Sequence, residues 1–380
     1  MKESGIGWIG QIPEEWEVAK VNHIFEEHKQ KNRGNKEKNL LSLSYGRIIR
    51  KSIDTSFGLL PESFDTYNII QRGDIVLRLT DLQNDKRSLR VGLARENGII
   101  TSAYLTLRLK NLESNESYMY YLLHTYDICK VFYNFGGGVR QGGTWSDIYK
   151  MELLIPPCNE QQKIADFLDK KTAQLDKVKV LLEEQIQKLK DYRASLIYET
   201  VTKGLDKTVP MKDSGIDWIG QVPQGWGVKA IKYIFDEIGS GSTPKSDNEI
   251  FYDGDINWIQ SGDLYQTETV TSVSKTISYQ GFKSTSALKI YKHPFIALAM
   301  YGASVGNVAI SYIDACVNQA VVVMLGASEK VRFGKYAIEA SKNNLIFSAQ
   351  GGTQPNISQN LIKNWSIPQT KNEEQEEIAD

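Results

Sequence analysis

The chain has 380 residues, of which 41% are hydrophobic and 24% are charged, so disordered and collagen-like proteins are excluded. This length exceeds a single domain of about 100 to 200 residues, and two or more domains are expected. The 45 Lys and Arg residues nearly balance the 46 Asp and Glu residues, so any surface that binds nucleic acid must be a local patch.

The chain also lacks the sequence features of export and membrane insertion. No apolar run approaches the ~18 residues of a membrane span, and the N-terminus has no apolar signal region. The three cysteines show neither metal nor disulfide spacing. These features predict a cytoplasmic protein.

A duplication organises the sequence. Residues 1–27 recur at 211–237, with 15 of 27 positions identical. Two later segments also recur in the same order: GGTWSDI at 142–148 with GGTQPNI at 351–357, and EQQKIAD at 160–166 with EQEEIAD at 374–380. The blocks between them, 28–141 and 238–350, show no convincing register. Two copies are too few for a solenoid, so the pattern predicts two similar domains related by an approximate two-fold.

Each variable block combines strand-like and helix-like patterns. Residues 74–79, 98–109, 295–300 and 319–325 have the apolar, β-branched character of strands, whereas 116–134 and 334–349 resemble helices. We therefore predict an α+β fold with two similar mixed domains joined by a long helix. The expected boundaries are 1–158 for the first domain, 159–208 for the long helix, 209–370 for the second domain and 371–380 for the start of a second copy of the helix.

The segment between the two domains reads as one helix. Pro156 and Pro157 precede it, Asn159 is expected to cap its first turn with Gln162 three residues later, and Gly204 ends it. Leucines recur every seven residues, which predicts a helix interface formed by Leu168, Leu175, Leu182, Leu189 and Leu196. An amphipathic helix lying on a globular core is the alternative. The second copy of this segment stops at Asp380, so we expect either a truncated helix or one supplied by a second chain.

The first variable block is the more basic one. Its first cluster contains Lys29, Lys31, Arg33, Lys36, Lys38, Arg47, Arg50 and Lys51. A second basic stretch between two predicted strands contains Arg78, Lys86, Arg87, Arg90 and Arg95. Arg140 and Gln141 lie in the glycine-rich run 136–143, which predicts a tight loop. Cations in such loops are candidates for contacts with phosphates or base edges, although a solvated loop is an equally good interpretation.

The second variable block offers polar and aromatic candidates for DNA contacts instead. They are Lys245, Trp258, Gln260, Lys283, Tyr301, Asn318, Gln319, Gln354 and Asn356. Amide side chains can bond adenine bidentately in the major groove. Taken singly, each of these residues is as good a candidate for a turn or a core position.

No catalytic constellation is visible in the sequence. The segment GSGSTPKS at 239–246 nearly fits a phosphate loop, but Pro244 stands where that loop requires glycine. The four histidines are scattered, and no Cys/His cluster has the spacing of a metal site. We therefore predict no catalytic residues and no metal ligands in this chain.

Several segments together resemble the specificity subunit of type I restriction-modification systems. They are SGIGWIGQIPEEWEV at 4–18, the two GGT segments, IPP at 155–157 with the long helix that follows, and TPKSDNEIFYDGDINWIQSGDL at 243–264. The resemblance covers almost the whole chain. It implies that each variable block is a target-recognition domain for one half of a bipartite, asymmetric DNA site. It also implies that the long helices form an antiparallel coiled coil and dock two modification subunits.

The resemblance places the chemistry in partner subunits. Adenine methylation with S-adenosylmethionine would belong to the modification subunits, and ATP- and magnesium-dependent restriction would belong to the restriction subunit, with no cofactor in this chain. Two alternatives remain open, a repeat-built adaptor that binds protein and the recognition fragment of a fused restriction-methylation enzyme.

Overall fold

The computed structural model describes residues 1–52, 63–82, 89–111, 113–134, 142–349 and 356–380. The chain divides into two compact units, Met1–Leu181 and Leu182–Asp380. Each unit has its own hydrophobic core and its own sheets. Lys86, Arg87, Arg140, Gln141 and Gln354 lie outside the described residues.

The first unit contains twelve strands among its described residues. They are β1 Lys2–Glu3, β2 Gln11–Ile12, β3 Glu17–Lys20, β4 Phe25–Glu27, β5 Leu41–Ser44, β6 Arg47–Arg50, β7 Asn68–Ile70, β8 Ile75–Leu77, β9 Val91–Leu93, β10 Gly98–Ile100, β11 Leu105–Leu109 and β12 Glu152–Ile155. Its helices are α1 Val21–Ile24, α2 Glu116–Ile128, α3 Trp145–Ile148 and the beginning of α4 Cys158–Lys203, with a 3-10 turn at Val131–Asn134.

A four-stranded antiparallel sheet of order β4-β11-β8-β9 carries the core of the first unit. All residues of β8 and β9 are buried, as their unbroken apolar sequence requires. Helix α2 packs against this sheet, and its N-cap Asn115 accepts a hydrogen bond from the Tyr118 N–H at 2.8 Å. The predicted strand 98–109 is two strands, because a turn closed by Tyr104 N–H to the Thr101 carbonyl separates β10 from β11.

Helix α4 is the predicted long helix. It begins at Cys158, before the expected cap, and ends at Lys203, where Gly204 adopts a φ of +72°. The Asn159 cap prediction is wrong, since Asn159 lies inside the helix and the Gln162 amide donates to Asp166 one turn later. Of the five predicted interface leucines, Leu168 is half-buried and the other four are exposed. With Val178 and Tyr192 they form an exposed apolar stripe that runs from Leu175 to Leu196. More than half of each side chain is exposed in Leu175, Val178, Leu182, Leu189, Tyr192 and Leu196.

The second unit repeats this architecture, with a main sheet of five strands in place of four. Its strands are β13 Met211–Asp213, β14 Gln221–Pro223, β15 Gly227–Ala230, β16 Glu237–Gly239, β17 Tyr252–Ile259, β18 Thr269–Val270, β19 Thr276–Ile277, β20 Phe295–Ala299, β21 Val308–Ser311, β22 Cys316–Val317, β23 Val321–Leu325 and β24 Ser366–Gln369. Its helices, besides the end of α4, are α5 Tyr279–Lys283, α6 Ser328–Ala340, α7 Lys342–Ser348, α8 Gln359–Asn364 and α9 Asn372–Ala379.

The main sheet of the second unit has the order β16-β23-β20-β21-β18. Its first four strands match β4-β11-β8-β9 of the first unit in order and direction, although the two sequence blocks could not be aligned. The predicted α+β fold with an internal repeat is therefore confirmed. Helix α6 begins at Ser328 rather than at 334, and Gly334 lies inside it, where a Cβ atom would approach the Phe235 ring to 2.6 Å.

The repeated segments form the same frame in both units. Strand β3 pairs with β12 so that Lys20 faces Glu152, and β15 pairs with β24 so that Ala230 faces Ser366. This register also corrects the GGT alignment. Helix α3 after Thr144 and helix α8 after Ser358 stand the same distance before these strands, so α8 rather than 351–357 is the structural counterpart of α3.

Candidate nucleic-acid interface

In the second unit, two parallel strands end side by side in amide residues. Trp258 and Ile259 of β17 pair with Cys316 and Val317 of β22. The next residue of each strand is an amide, and the Asn318 N–H donates to the Ile259 carbonyl at 3.0 Å. The structure therefore brings Gln260, Asn318 and Gln319 together at the same end of this strand pair.

Tyr301 and Asn356 join the same edge through backbone bonds. The Met300 N–H donates to the Ala320 carbonyl, and the Ile357 N–H donates to the Met300 carbonyl, both at 2.8 Å. The segments that carry Tyr301, Gln319 and Asn356 are consequently adjacent. We refer to Gln260, Tyr301, Asn318, Gln319 and Asn356 as the amide edge.

The members of the amide edge differ in what the fold leaves available. The Asn318 Oδ1 accepts the Ala320 N–H at 3.0 Å and so shapes the turn. Gln319 is exposed, and its Oε1 accepts the Thr243 hydroxyl at 2.6 Å. Asn356 is also exposed, whereas Tyr301 is half-buried against the core, and burial raises the pKa of its phenol. Gln319 and Asn356 are thus the amides best placed to meet a ligand in solution.

Trp258 is a correction to the candidate residues. Only 3% of this residue is exposed, because its indole packs with Ile277, Leu288 and Cys316. Its Nε1–H donates to the Ser242 carbonyl at 3.2 Å. Trp258 therefore holds the loop at 240–246 against β17 and has no surface for stacking on a base.

Lys245 and Lys283 lie near the start of β17. Tyr252, the first residue of β17, donates its hydroxyl to the Pro244 carbonyl at 2.8 Å. Lys283 ends α5, which packs on the turn before β17, and its Nζ lies 5.5 Å from the Tyr279 ring centroid. Both lysines are exposed, so they are available for phosphate contacts, and Lys245 is two residues from Thr243, which bonds Gln319 of the amide edge.

The glycines of the GSGSTPKS segment serve close packing. A Cβ atom at Gly241 would lie 1.8 Å from the Val317 carbonyl oxygen, so only glycine fits there. The Thr243 hydroxyl from this loop bonds Gln319 and was not among the sequence-based candidates. Its contact depends on a loop crossing over β22, for which the local sequence carries no signal.

In the first unit, the predicted basic cluster is split by the hairpin of β5 and β6. Arg47, at the turn end, is paired with Asp176 of α4. Arg50, at the open end, is paired with Glu96. These two arginines lie at opposite ends of the hairpin, and most of each side chain is exposed despite its ion pair, so both stay candidates for DNA contacts.

The remaining basic residues of this cluster stand on the loop before β5 and just after β6. Lys29 pairs with Glu27 at 2.7 Å, and the Lys31 Nζ donates to the Thr66 carbonyl at 3.0 Å. Four cations are exposed and form no ion pair within the described residues: Arg33, Lys36, Lys38 and Lys51. We call these four the basic rim. Lys38 and Lys51 are close, since the Lys51 N–H donates to the Leu40 carbonyl at 2.8 Å.

Arg90 is a further correction. The residue is fully buried, and its guanidinium donates to the carbonyls of Arg78, Thr80 and Asp81. The backbone N–H of Arg90 donates to the Asp127 carboxylate at 2.6 Å. Arg90 therefore fixes the chain that follows β8, where a buried cation is stable because carbonyl oxygens surround it. Arg78 is half-buried beside it, and the loop residues Lys86 and Arg87 stay predictions outside the described range.

The two units present equivalent loops to this side of their sheets. In the first unit, the chain leaves β8 toward 83–88, and the Gly143 N–H donates to the Leu79 carbonyl at 2.7 Å. In the second unit, the chain leaves β20 at Tyr301, and Ile357 bonds Met300 in the corresponding way. The segment that begins with Arg78 after β8 and the segment that leads to Tyr301 after β20 thus occupy equivalent positions, which sequence comparison could not establish.

Among the described residues, no group of three or more His, Cys, Asp or Glu side chains could hold a metal ion. None of the helices in the described part of the chain is long and apolar enough to cross a membrane.

The family model and the curated relatives that match this chain all describe specificity domains or subunits of type I restriction enzymes. The family model of the type I restriction modification DNA specificity domain matches residues 13–189 and 223–380. A curated relative, the type I restriction enzyme MjaIX specificity subunit of Methanocaldococcus jannaschii, is 30% identical over 166 residues, which are 42% of this chain but only 38% of that protein. The putative MjaX specificity subunit of the same organism is 23% identical over 98% of this chain and 87% of its own length.

Solved structures show the same fold at low sequence identity. One, from work on complex assembly and conformational transition of the type I R-M system, has a TM-score of 0.65 and 16% identity over 97% of this chain and 89% of its own. The HsdS subunit from Thermoanaerobacter tengcongensis has a TM-score of 0.53 and 14% identity over 100% of this chain and 90% of its own.

Proposed function

Because the chain belongs to the family of type I restriction modification DNA specificity domains, we propose that it is the DNA-recognition subunit of a type I restriction-modification complex. Each unit reads one half of a bipartite, asymmetric DNA target. The chain itself is non-catalytic and contributes by selecting where its partners act.

The observation that carries this proposal is the placement of unlike side chains on a repeated frame. Equivalent strands in the two units lead into segments with different side chains, beginning with Arg78 after β8 in one unit and reaching Tyr301 of the amide edge after β20 in the other. Residues that follow the ends of paired strands lie outside the strand pairing, so they can be substituted without altering the sheet. Amides suit adenine edges and cations suit phosphates and guanine, so the two units are expected to prefer different half-sites.

Partner subunits supply the chemistry in this proposal. Adenine methylation with S-adenosylmethionine belongs to the modification subunits, and ATP- and magnesium-dependent cleavage belongs to the restriction subunit. The exposed apolar stripe of α4 supports docking of another helix, since six large apolar side chains are more than half exposed along it.

The decisive experiment exchanges one variable block. Replacing residues 28–141 by the corresponding block of another family member, and mapping methylated adenines in DNA modified by the reconstituted complex, should change one half-site only. Exchange of 238–350 is the matched experiment for the other half-site. Changes in both half-sites after a single exchange would contradict the assignment of one unit to each half.

A second measurement distinguishes DNA recognition from a protein-binding adaptor. The complex should bind duplex DNA with an affinity that falls steeply as salt rises, because cations such as those of the basic rim displace counterions from phosphates. Absence of salt-dependent duplex binding by the complex would favour the adaptor.

A further inference from the structure

A four-member ion-pair network joins helix α4 to the body of the second unit. Arg193 of α4 donates to Glu339 of α6 through Nη1 and to Glu268, before β18, through Nη2 at 2.7 Å. The Lys335 Nζ bonds the same two carboxylates, Glu339 at 2.7 Å and Glu268 at 3.1 Å. Two cations therefore share two anions, and the network is neutral.

The centre of this network is withdrawn from solvent. Only 3% of the Lys335 side chain and 25% of the Glu339 side chain are exposed, compared with 58% for Glu268. Burial by itself raises the pKa of Glu339, but hydrogen bonds from Arg193 and Lys335 reverse this effect and hold the pKa below its ordinary value. Glu339 is thus kept charged inside the protein by its two partners. A charge in such a place demands a fixed geometry, because a displaced partner would leave it uncompensated.

Arg193 stands at the far end of the contact between α4 and the second unit. Further along the helix, Val201 is buried in the core and Ile197 packs against it. In the other direction, Leu189 and Tyr192 are exposed. Arg193 and Val201 are eight residues apart, or about 12 Å along a helix. A second contact at Arg193, at that distance from Val201, restricts rotation of α4 relative to the rest of the second unit. The apolar contact at Val201 alone would restrict this rotation less.

The same network leads to the amide edge. Glu268 lies on the short segment that starts at Gln260, and Asn307 holds this segment by donating to the Leu264 carbonyl at 3.1 Å. Lys342, which follows α6, donates in turn to the Asn307 Oδ1 at 2.6 Å. Helix α4 is therefore connected to the segment 260–268 in two ways, directly through Glu268 and indirectly through α6, Lys342 and Asn307.

In the first unit, the ion pairs with α4 have the opposite polarity, with the carboxylates on the helix and the arginines on the rest of the unit. There the helix supplies Asp169 and Asp176, and the domain supplies Arg95 at 3.3 Å from Asp169, Arg47 on Asp176, and the Tyr121 hydroxyl at 2.8 Å from Asp169. Polar attachment to the helix is thus common to both units, with the cation on the domain in one and on the helix in the other.

We infer that Arg193 is a positioning residue, which fixes the orientation of the second unit on α4 and so sets where the amide edge meets DNA. The part of this inference that concerns DNA rests on the proposed function. The part that concerns orientation stands on the geometry of the second unit alone.

The orientation is tested by a distance measurement within the second unit. Spin labels at Lys190→Cys on α4 and Asn343→Cys on α7 occupy exposed positions, in a chain whose exposed thiols are removed by Cys129→Ser and Cys158→Ser. Arg193→Met should broaden the label-to-label distance distribution about twofold, because the unit then samples several orientations. Lys188→Met removes one exposed cation from the same helix and should leave the distribution unchanged. An unchanged distribution in Arg193→Met would overturn the inference.

A milder variant covers the case in which Arg193→Met fails to fold. Glu268→Gln neutralises the most exposed member and keeps the buried Lys335 and Glu339 pair, so it should fold and still broaden the distribution. A distribution as narrow as that of the unsubstituted chain would overturn the role of the network.

The consequence for DNA is measured on the reconstituted complex. Methylation of duplexes with graded central gaps should show that Arg193→Met reduces the preference for one gap over its neighbours by about tenfold, comparable to the loss of one base-pair contact. An unchanged preference alongside a broadened distribution would overturn the link to DNA. If the unsubstituted complex binds no DNA, the proposed function fails, whereas the distance measurement still decides whether Arg193 positions the unit.

Discussion

The indole Nε1–H of Trp16 donates to the Glu160 carboxylate at 2.9 Å, across 144 residues of sequence. The second unit repeats this bond between Trp226 and Glu374 at 3.0 Å. In each unit the bond ties the repeated N-terminal segment to the first turn of a repeated helix, either α4 or α9. Two repeated segments that are distant in sequence are therefore held together in each unit, and the variable block is inserted between them.

Removing this bond should destabilise the two units unequally. Trp16→Phe should lower the free energy of unfolding by about 1 kcal/mol, since Trp16 is half-buried and water can replace the lost donor. Trp226→Phe should cost more, about 2 to 4 kcal/mol, because Trp226 is only 4% exposed and the substitution also leaves a cavity. Urea unfolding of the full chain measures both. Trp8→Phe, at a tryptophan that is 43% exposed, is the control, and equal losses in all three variants would contradict the importance of the bond.

Leu182→Lys should impair assembly rather than folding. Because 52% of Leu182 is exposed in the chain alone, the substitution should change its unfolding free energy by less than about 0.5 kcal/mol. Loss of one leucine from a helix interface should cost about 1.5 to 3 kcal/mol, or roughly 10- to 100-fold in affinity for the modification subunits. Gln187→Lys, on the opposite face of the same helix, is the matched control. Assembly of Leu182→Lys at the affinity of the unsubstituted chain would show that the stripe is not the interface.

Gln319→Ala should relax sequence preference in one half-site. The side chain is exposed and bonds only Thr243 among its described neighbours, so the fold should tolerate its loss. If its amide reads a base, discrimination at one position should fall by about 1 to 3 kcal/mol, measured as relative affinities for duplexes substituted at each position.

Lys245→Ala should weaken binding in a different manner. Lys245 is exposed near the start of β17, where a phosphate contact would lower affinity for all sequences alike and reduce the salt slope by about one. A loss confined to particular base pairs would show that Lys245 reads bases instead.

The three cysteines should differ sharply in reactivity. Cys129 and Cys158 are exposed, whereas Cys316 is buried in β22, and burial raises the pKa of its thiol to about 12. At pH 8 in the native protein, a thiol reagent should modify Cys129 and Cys158 and leave Cys316 unmodified. Mass spectrometry of the digested chain identifies the sites, and urea provides the control in which all three react. Rapid native labelling of Cys316 would mean that β22 opens readily.

Features repeated or periodic along the chain were predictable from the sequence. The duplication of 1–27 at 211–237 predicted two similar units, and the leucine repeat between Pro157 and Gly204 predicted α4. The strands 74–79, 295–300 and 319–325 were also located, because buried strands are continuous apolar runs. These signals are local or periodic, so they are readable without knowledge of which segments meet.

The availability of each side chain was decided only by the tertiary structure. Arg33 and Arg90 both lie in basic stretches of the first variable block, and the sequence does not show which of them is exposed. In the structure Arg90 is buried among carbonyl oxygens, whereas Arg33 is exposed. Trp258 is buried and bonds the Ser242 carbonyl, whereas Gln260 and Asn318 lie at neighbouring strand ends because β17 and β22 pair in parallel. Burial and proximity depend on contacts between segments far apart in sequence, and no residue pattern within either segment records them.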